Sequence, residues 1–549
     1  MEFKGIDDKN IIRLTELDIT SIEIAKKIMK NTFFISSALD EIIFNEDIDW
    51  EYSHINNKNT YLLYLHSLTT ISYLTNAYEL TNSIEYLEKA REIIYSWMEY
   101  EKIYKSNDMI WYDHTVANRT QNLLYFYIIA RDKIKLDIQD IELMIMRHIE
   151  YLYDDKNYSK NNHGIMMDKA LIVCSKVIKG NESDKWCVKG ISRLKETFYN
   201  SFTLQGVHLE NSIYYHNFVY KLYIEIEKFL NLYELSLGNE ILDRFSKIKY
   251  YFKYAVKPNG ELPLLGDTTK FYAKGIEKDY SSFFDKDAGI AILQSKDEKD
   301  AKDSTWLSFI CGYFKKTHKH YDDLSFNLYY KGEDIFIDSG SFGYGRGKER
   351  AYMQSAASHN TFMANQKNYT LLSGDELYKK VKINSFLSNK YYDVVEGKNC
   401  SYENISLERT LVFFKPDIVI ILDKAISKNN NLYSQIFNLS PQIKITNINN
   451  SECELKGKNI KVKIKQILSV SNSRIHIANR ELPKAVISEK TGKLIDTNQV
   501  EFYENADNKR FITLITLNNS EIRISEIKYD NKNEILNIEV DGIKHSIVF

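Results

Sequence analysis

The stretch Thr317-His318-Lys319-His320-Tyr321-Asp322-Asp323-Leu324-Ser325-Phe326 sets two imidazoles and a carboxylate at every second position. In an extended chain alternate side chains share a face, so His318, His320 and Asp322 line up and run on into Leu324, Phe326 and Leu328. The pattern predicts a strand that leaves a core with its polar end exposed. Lys331-Gly332-Glu333-Asp334 reads as a turn, and the return strand Ile335-Phe336-Ile337-Asp338 brings back another carboxylate. The hairpin would gather His318, His320, Asp322 and Asp338, a set fit to bind a metal or to move protons. A lone H-x-H pair is more often an idle surface feature. The same-face carboxylates and the later Ser358-His359-Asn360 set this one apart.

Three more polar clusters stand where helical patterns begin. Trp111-Tyr112-Asp113-His114-Thr115-Val116-Ala117-Asn118-Arg119 precedes an apolar helix expected from about Gln121. Its Trp111, His114 and Arg119 are candidates for substrate contact, Arg119 through a planar fork that matches a carboxylate. Asn161-Asn162-His163-Gly164 precedes a helix carrying Leu171, Ile172 and Val177. An amide and an imidazole thus stand where unpaired backbone N–H groups favour negative charge, and either asparagine also suits an N-cap. Glu210-Asn211-Ser212-Ile213-Tyr214-Tyr215-His216 puts Tyr215 in the first turn of a helix through Val219, Leu222, Ile226 and Phe229. There the positive end of the helix dipole eases formation of a phenolate, whose ordinary pKa is near ~10.

Histidine, tyrosine, asparagine and arginine together suit proton removal beside a carboxylate. A donor neutralises the acid group, a base takes the adjacent proton, and a phenol protonates the leaving oxygen. In a uronic-acid polysaccharide that sequence is a β-elimination. It requires the amide, the phenol and the imidazoles to reach one sugar ring. No P-loop, dinucleotide fingerprint or G-x-S-x-G elbow is present. Lys315, Lys316, Lys319, Arg346, Lys348 and Arg350 flank the hairpin and offer a local positive field.

The elements that must position these groups divide in two. Tyr61, Leu65, Leu68, Ile71, Leu74 and Tyr78 recur at helical spacing. Ile84, Leu87, Ile94 and Met98 do the same after a candidate cap at Asn82 with Glu85 three residues on. Further helices are expected around 120–132, 138–153, 165–179 and 212–234, and the frequent tyrosines on them suit both core packing and sugar stacking. Turns gather at Lys257-Pro258-Asn259-Gly260 and Leu265-Gly266-Asp267, and from about Gly289 the period becomes two. Leu411-Val412-Phe413-Phe414, turned by Lys415-Pro416-Asp417 into Ile418-Val419-Ile420-Ile421-Leu422, is one of many short strands without helices between them. The expectation is an α+β multidomain chain, with a helical domain over 1–288 and an antiparallel β-sandwich over 289–549.

A formal charge of -2 over 549 residues argues against a dedicated nucleic-acid binder. The five cysteines, Cys174, Cys187, Cys311, Cys400 and Cys453, are scattered, with no CxxC pair, and read as ordinary thiols. The opening Met1–Asp8 has no apolar core of a signal peptide, and no later run, Asn122–Ala130 included, is long enough to span a bilayer. A cytoplasmic location is expected, or a periplasmic or secreted one if a native leader has been removed.

The motifs together resemble the heparinase II/III-like polysaccharide lyases. The likeness rests on Asn162-His163-Gly164, on Glu210-x-Ser212-x-x-Tyr215-His216 and on His318-Lys319-His320-Tyr321-Asp322-Asp323-Leu324-Ser325-Phe326. It continues through Asp338-Ser339-Gly340-Ser341-Phe342-Gly343-Tyr344 and Ser358-His359-Asn360-Thr361. The resemblance implies an N-terminal (α/α) toroid, an incomplete barrel of helical hairpins, followed by a C-terminal antiparallel β-sandwich. It implies that Asn162 and His163 neutralise a uronate carboxylate, that Tyr215 is the general acid and that His318 is its partner base. Glu210, His216 and Arg350 join Trp111, His114 and Arg119 as substrate-binding candidates. By the same resemblance His320, Asp338 and His359 match a structural zinc or manganese site, with no organic cofactor. The implied substrate is an acidic polysaccharide of the heparan, chondroitin, dermatan or hyaluronan type. A uronyl C5-epimerase, or a lyase for alginate or a bacterial capsule, is the alternative. The sequence departs from the family pattern at Tyr321, where a small residue is usual, and at Ile213, where proline is frequent.

Overall fold

The structure, a computed structural model of the chain, describes residue 7 and residues 10–35, 39–54, 58–103 and 108–548. Apart from Asp7, the opening stretch Met1–Asp8 lies outside the described residues. The chain divides into two compact units, Met1–Ser201 with Val219–Asp243, and Phe202–Phe218 with Arg244–Phe549. The change of period near Gly289 coincides with the strand Ile290–Ser295, but the second unit takes in more chain than that. The reason is a shared cluster. Val207, Ile213, Tyr251, Phe252 and Ala255 bury their apolar surface with Ile290, Ile292, Trp306 and Tyr329.

In the first unit the helices Lys58–His66, Thr69–Thr81, Glu85–Ile103, Asp113–Ala130, Ile138–Tyr153, Asn162–Val177 and Ser183–Tyr199 follow one another. The Asp113–Ala130 helix is buried along nearly its whole length and packs against Thr69–Thr81, Ile138–Tyr153 and Asn162–Val177. It begins at Asp113 and not near Gln121, so the cluster from Asp113 to Arg119 is inside the helix. The single helix expected over Tyr61–Tyr78 is broken at Leu68, which is left-handed with φ of 54°. Side chains satisfy the carbonyls freed by that break: Arg119 donates to His66 O at 2.7 Å and Asn122 donates to Ser67 O at 2.9 Å. Asn82, expected to open the Glu85 helix, closes the preceding one at φ 56° with its N–H on Tyr78 O.

In the second unit every sheet is antiparallel. A five-stranded meander runs from Phe283–Asp285 to Glu333–Phe336. An eight-stranded sheet carries Ile405–Phe414 and Ile418–Ser427 in its interior, and a four-stranded sheet carries Asn431–Asn438 and Asn498–Ala506. Leu411, Phe413, Val419 and Ile421 face a core shared with Phe326, Leu328, Tyr433, Phe437 and Phe502. Their neighbours Val412, Phe414, Ile418 and Ile420 pack on the other face with Leu536, Ile538 and Val540 of the terminal three-stranded sheet. Burial on both faces explains why these strands read as unbroken apolar runs.

The His318 hairpin is shorter than its spacing predicts. The strands are Ser325–Tyr330 and Glu333–Phe336, while His318 and Leu324 both hold left-handed backbone, with φ of 56° and 66°. Residues 318–322 therefore do not alternate about a strand. Their polar end is also not exposed, since His320 and Asp322 are buried.

Candidate active site and metal triad

Tyr215 is positioned by a cap. Ser212 Oγ accepts from Tyr215 N at 3.4 Å at the start of the Ile213–Asn231 helix, and Ile213 is seated in the apolar cluster. Before it Asn211, left-handed at φ 59°, donates through its side chain to Lys315 O and Thr317 O at 2.7 and 2.9 Å. The same asparagine thus ties the tyrosine helix to the segment carrying His318. The rings of Tyr215 and His318 stack at 3.7 Å and 13°, and Tyr215 Oη meets Tyr344 Oη at 2.6 Å.

His318 is flanked by carboxylates. Its Nδ1 donates to Asp267 Oδ2 at 2.8 Å, and its Nε2 lies 4.0 Å from Glu210 Oε2. Nε2 makes no hydrogen bond to any described residue, so it is the nitrogen left to take a proton. Asp267 was read from sequence only as part of a turn. It accepts from His318, from His320 Nε2 at 3.0 Å, from Ser341 Oγ at 3.3 Å and from both terminal nitrogens of Arg350. Burial raises its pKa, but these donors more than reverse the effect and hold it far below the usual carboxylate range.

His320, Asp338 and His359 offer ligand atoms within 4.8 Å of one another, all three residues being buried. His359 Nδ1 donates to Asp338 Oδ2 at 3.0 Å. His320 Nδ1 and His359 Nε2 are buried with no hydrogen-bond partner among the described residues. Two orphaned imidazole nitrogens beside a carboxylate are what a nitrogen- and oxygen-ligated divalent ion requires, so the donor set fits one. Asp322, expected with this set, instead pairs with the buried Lys319, which Asp323 also contacts at 3.1 Å.

In the first unit Asn161 is the N-cap, its side chain accepting from His163 N at 2.8 Å. Gly164 is required by close approach, since a Cβ there would stand 2.0 Å from Ser159 O. Asn162 and His163 are partly exposed, and the Asn162 amide makes no hydrogen bond to any described residue. His163 Nδ1 lies 3.0 Å from Asp113 Oδ1, while Asp113 Oδ2 accepts from Ser159 Oγ at 2.7 Å. Burial pushes the Asp113 carboxyl up, and the hydrogen bonds from His163 and Ser159 carry it below its ordinary value. His114 packs against His163 at 5.2 Å between ring centroids, and burial followed by the charge of His163 lowers it to about 3.

Four expected substrate contacts have other occupations. Arg119 is fully buried and donates to His148 Nε2, His66 O and Ile110 O, each at 2.7 Å. It supports the helix break and presents no fork to a ligand. His216 is buried, accepts from His208 N and faces Ile248 O, both at 3.2 Å, and burial lowers it to about 3. Arg350 is committed to Asp267. Trp111 has its indole N–H on Glu101 Oε1 at 3.1 Å and packs against His148 and Tyr151. Glu210 is fully buried with neither oxygen hydrogen-bonded, 3.6 Å from Lys315 Nζ. Of the six basic residues expected to supply a field around the hairpin, Lys315, Lys319 and Arg350 each stand beside a carboxylate. Beside His163 in the first unit, Asp113 is a residue that spacing did not single out, as are Asp267 and Tyr344 beside His318 and Tyr215 in the second.

Residues 6–292 match the sequence profile of the Heparinase II/III N-terminus and residues 278–521 that of the Heparinase II/III-like C-terminal region. A heparin-sulfate lyase of Bacteroides thetaiotaomicron is 20% identical over 449 residues, 71% of this chain and 63% of that protein. The chain thus spans less than two thirds of that relative's length. A heparin-sulfate lyase of Pedobacter heparinus is 21% identical over 455 residues, 75% of this chain and 67% of its own. A crystal structure of heparinase III superposes with a TM-score of 0.82 at 17% identity, covering 99% of this chain and 93% of that one. A Streptomyces coelicolor A3 chondroitin AC lyase in complex with chondroitin sulphate gives 0.55 at 7% identity, over 98% and 86% of the two chains. At such identities the likeness concerns the fold, an incomplete toroid of helical hairpins and an antiparallel β-sandwich, as expected. On the profile that spans residues 6–292, the chain belongs to the heparinase II/III family.

Proposed function

We propose that this chain is a polysaccharide lyase that cleaves uronic-acid-containing glycosaminoglycans by β-elimination. Its relatives named heparin-sulfate lyases support that substrate class. The observation that carries the reading is the stacked Tyr215–His318 pair, with Asp267 on His318 Nδ1 and Nε2 unbonded. A phenol and an imidazole held in contact are an acid and a base set for one proton removal and one proton delivery.

Asn162 and His163 neutralise the uronate carboxylate, which acidifies the proton on the adjacent C5. His163 also serves as base for one uronate epimer. His318 Nε2 takes the C5 proton, with Tyr215 as its partner. The electron pair of the C5–H bond forms the C4–C5 double bond, and the C4–O bond breaks. Tyr215 delivers its phenolic proton to the departing oxygen, giving one unsaturated end and one new hydroxyl. Asp267 holds His318 in the Nδ1–H form and stabilises the imidazolium produced. His320, Asp338 and His359 would hold a zinc or manganese ion. When bound, it would cross-link the three segments and add fixed positive charge beside them.

The test is a panel of heparan sulfate, chondroitin, dermatan, hyaluronan and alginate incubated with wild type and His318→Ala. The reading predicts new ultraviolet-absorbing unsaturated ends from wild type on at least one polymer, and their loss in the variant. No product from any polymer or short oligosaccharide contradicts it. Solvent hydrogen entering C5 without chain shortening would identify a uronyl C5-epimerase instead.

A further inference from the structure

The turn Leu265–Thr268 holds more of the site together than any one catalytic candidate does. Gly266 has φ of 55°, and a Cβ there would stand 2.2 Å from Asn211 O and 3.0 Å from His318 O. Only glycine lets the turn wedge between the two segments that carry Tyr215 and His318. Ser212 Oγ, the cap of the tyrosine helix, donates to Asp267 O at 3.1 Å and contacts Thr268 Oγ1 at 3.0 Å. The turn is thus hydrogen-bonded to the acid's helix and packed on the base's segment.

Asp267 then divides its two oxygens. Oδ2 takes His318 Nδ1 and Oδ1 takes His320 Nε2, while Arg350 and Ser341 donate from elsewhere. An ionised carboxylate only accepts, so both imidazole nitrogens facing it carry their protons. That choice places the lone pair of His318 on Nε2, toward the chemistry. It places the lone pair of His320 on Nδ1, the buried and unpartnered nitrogen of the triad. A carboxylate serving only as partner to Arg350 would have no need to meet two imidazoles on separate oxygens.

We infer that Asp267 is a positioning residue that sets the tautomers of His318 and His320 together, coupling cation binding at the His320–Asp338–His359 triad to the availability of the base. The inference deepens the lyase reading and rests on it for the role of His318. Its physical content is that one acceptor-only group faces two N–H donors. Asp267→Asn replaces one of those acceptors by an NH₂ donor. One imidazole must then turn its protonated nitrogen away, and either the base or the metal ligand loses its lone pair.

The experiment compares wild type with Asp267→Asn as purified full-length proteins. Histidine tautomers are read from long-range ¹H–¹⁵N spectra, zinc affinity from competition with a chelator, and kcat and KM from unsaturated-end formation. Wild type is expected to bind zinc and to show His318 as Nδ1–H and His320 as Nε2–H. In Asp267→Asn one of the two reverses. If His318 reverses, kcat falls by about 100-fold while KM stays within about two-fold; if His320 reverses, zinc affinity falls by about 10- to 100-fold. Unchanged tautomers with zinc affinity within about two-fold overturn the inference, as does a wild type that binds no zinc. Should Asp267→Asn not fold, the wild-type spectra still decide: His318 as Nε2–H, or His320 as Nδ1–H, overturns the inference. Tautomers and zinc affinity are read without substrate. Failure to form unsaturated ends would therefore remove the lyase reading while the Asp267 measurements still decide this one.

Discussion

Tyr215 and His318 lie ring on ring, their centroids 3.7 Å apart and their planes within 13°. Residues 103 positions apart in sequence meet because Asn211, four residues before the tyrosine, is bonded to the backbone at Lys315 and Thr317. The phenol and the imidazole are thus set by one short strut.

Tyr215→Phe preserves that stack and removes only the hydroxyl that meets Tyr344. The expected result is a loss of kcat of roughly 10² to 10⁴, with the fold unchanged by circular dichroism. A variant within about two-fold of wild type would assign the acid role elsewhere.

Asp113→Asn addresses the second imidazole, since His163 Nδ1 rests on Asp113 Oδ1 at 3.0 Å. Loss of the anion frees the tautomer and orientation of His163, and a fall in kcat/KM of about 10- to 100-fold is expected. Asp113→Glu should recover part of it. Equal activity of wild type and Asp113→Asn in initial-rate assays would show that His163 needs no such partner.

Arg119→Leu separates support from substrate binding. It strips donors from His66 O, Ile110 O and His148 Nε2, each buried group costing roughly 1–3 kcal/mol when left unpaired. Urea denaturation should show a loss of several kcal/mol, while KM per folded molecule is unchanged. A rise in KM with stability intact would restore Arg119 as a substrate contact.

Stability should fall in mild acid. Burial is the leading cause that lowers His66, His114 and His216, each to about 3, and it also lowers His148 and His208. A histidine depressed in the folded state takes its proton more readily when unfolded. Its contribution is therefore full above about pH 6.5 and is lost as pH falls toward 3. His359 has the opposite sign: although burial lowers it, the charge of and hydrogen bond to Asp338 raise it overall. It is one group against six, since burial lowers His545 as well. Each of the three histidines at about 3 contributes a loss of about 2 kcal/mol between pH 6.5 and 4.5. Unfolding free energies that stay flat across that interval would contradict the assignment of the buried His66 and His216 as neutral.

The two architectures were legible because periodicity reports burial directly. The Ile138–Tyr153 helix lies where its apolar spacing placed it, and the strands Ile405–Phe414 and Ile418–Ser427 meet across the turn expected at Lys415-Pro416-Asp417. Local chemistry was less so. The alternation of His318, His320 and Asp322 suggested a strand, but left-handed backbone at His318 and Leu324 overrides it. Asp322 then takes Lys319 as its partner. Asp267 carried no local signal beyond Gly266 before it, because its importance comes from four partners at distant positions. Arg119 misled for the same reason: a guanidinium near a helix start is ordinary on a surface, and here buried carbonyls at His66, beside the break at Leu68, and at Ile110 hold it.

The most direct measurement is product analysis by mass spectrometry after wild type acts on heparan sulfate oligosaccharides in water enriched in oxygen-18. Elimination predicts products with an unsaturated uronate at the new non-reducing end and no heavy oxygen at the new reducing end. Heavy oxygen at the new reducing end, with saturated sugars on both sides of the cut, would mean hydrolysis and would contradict the account.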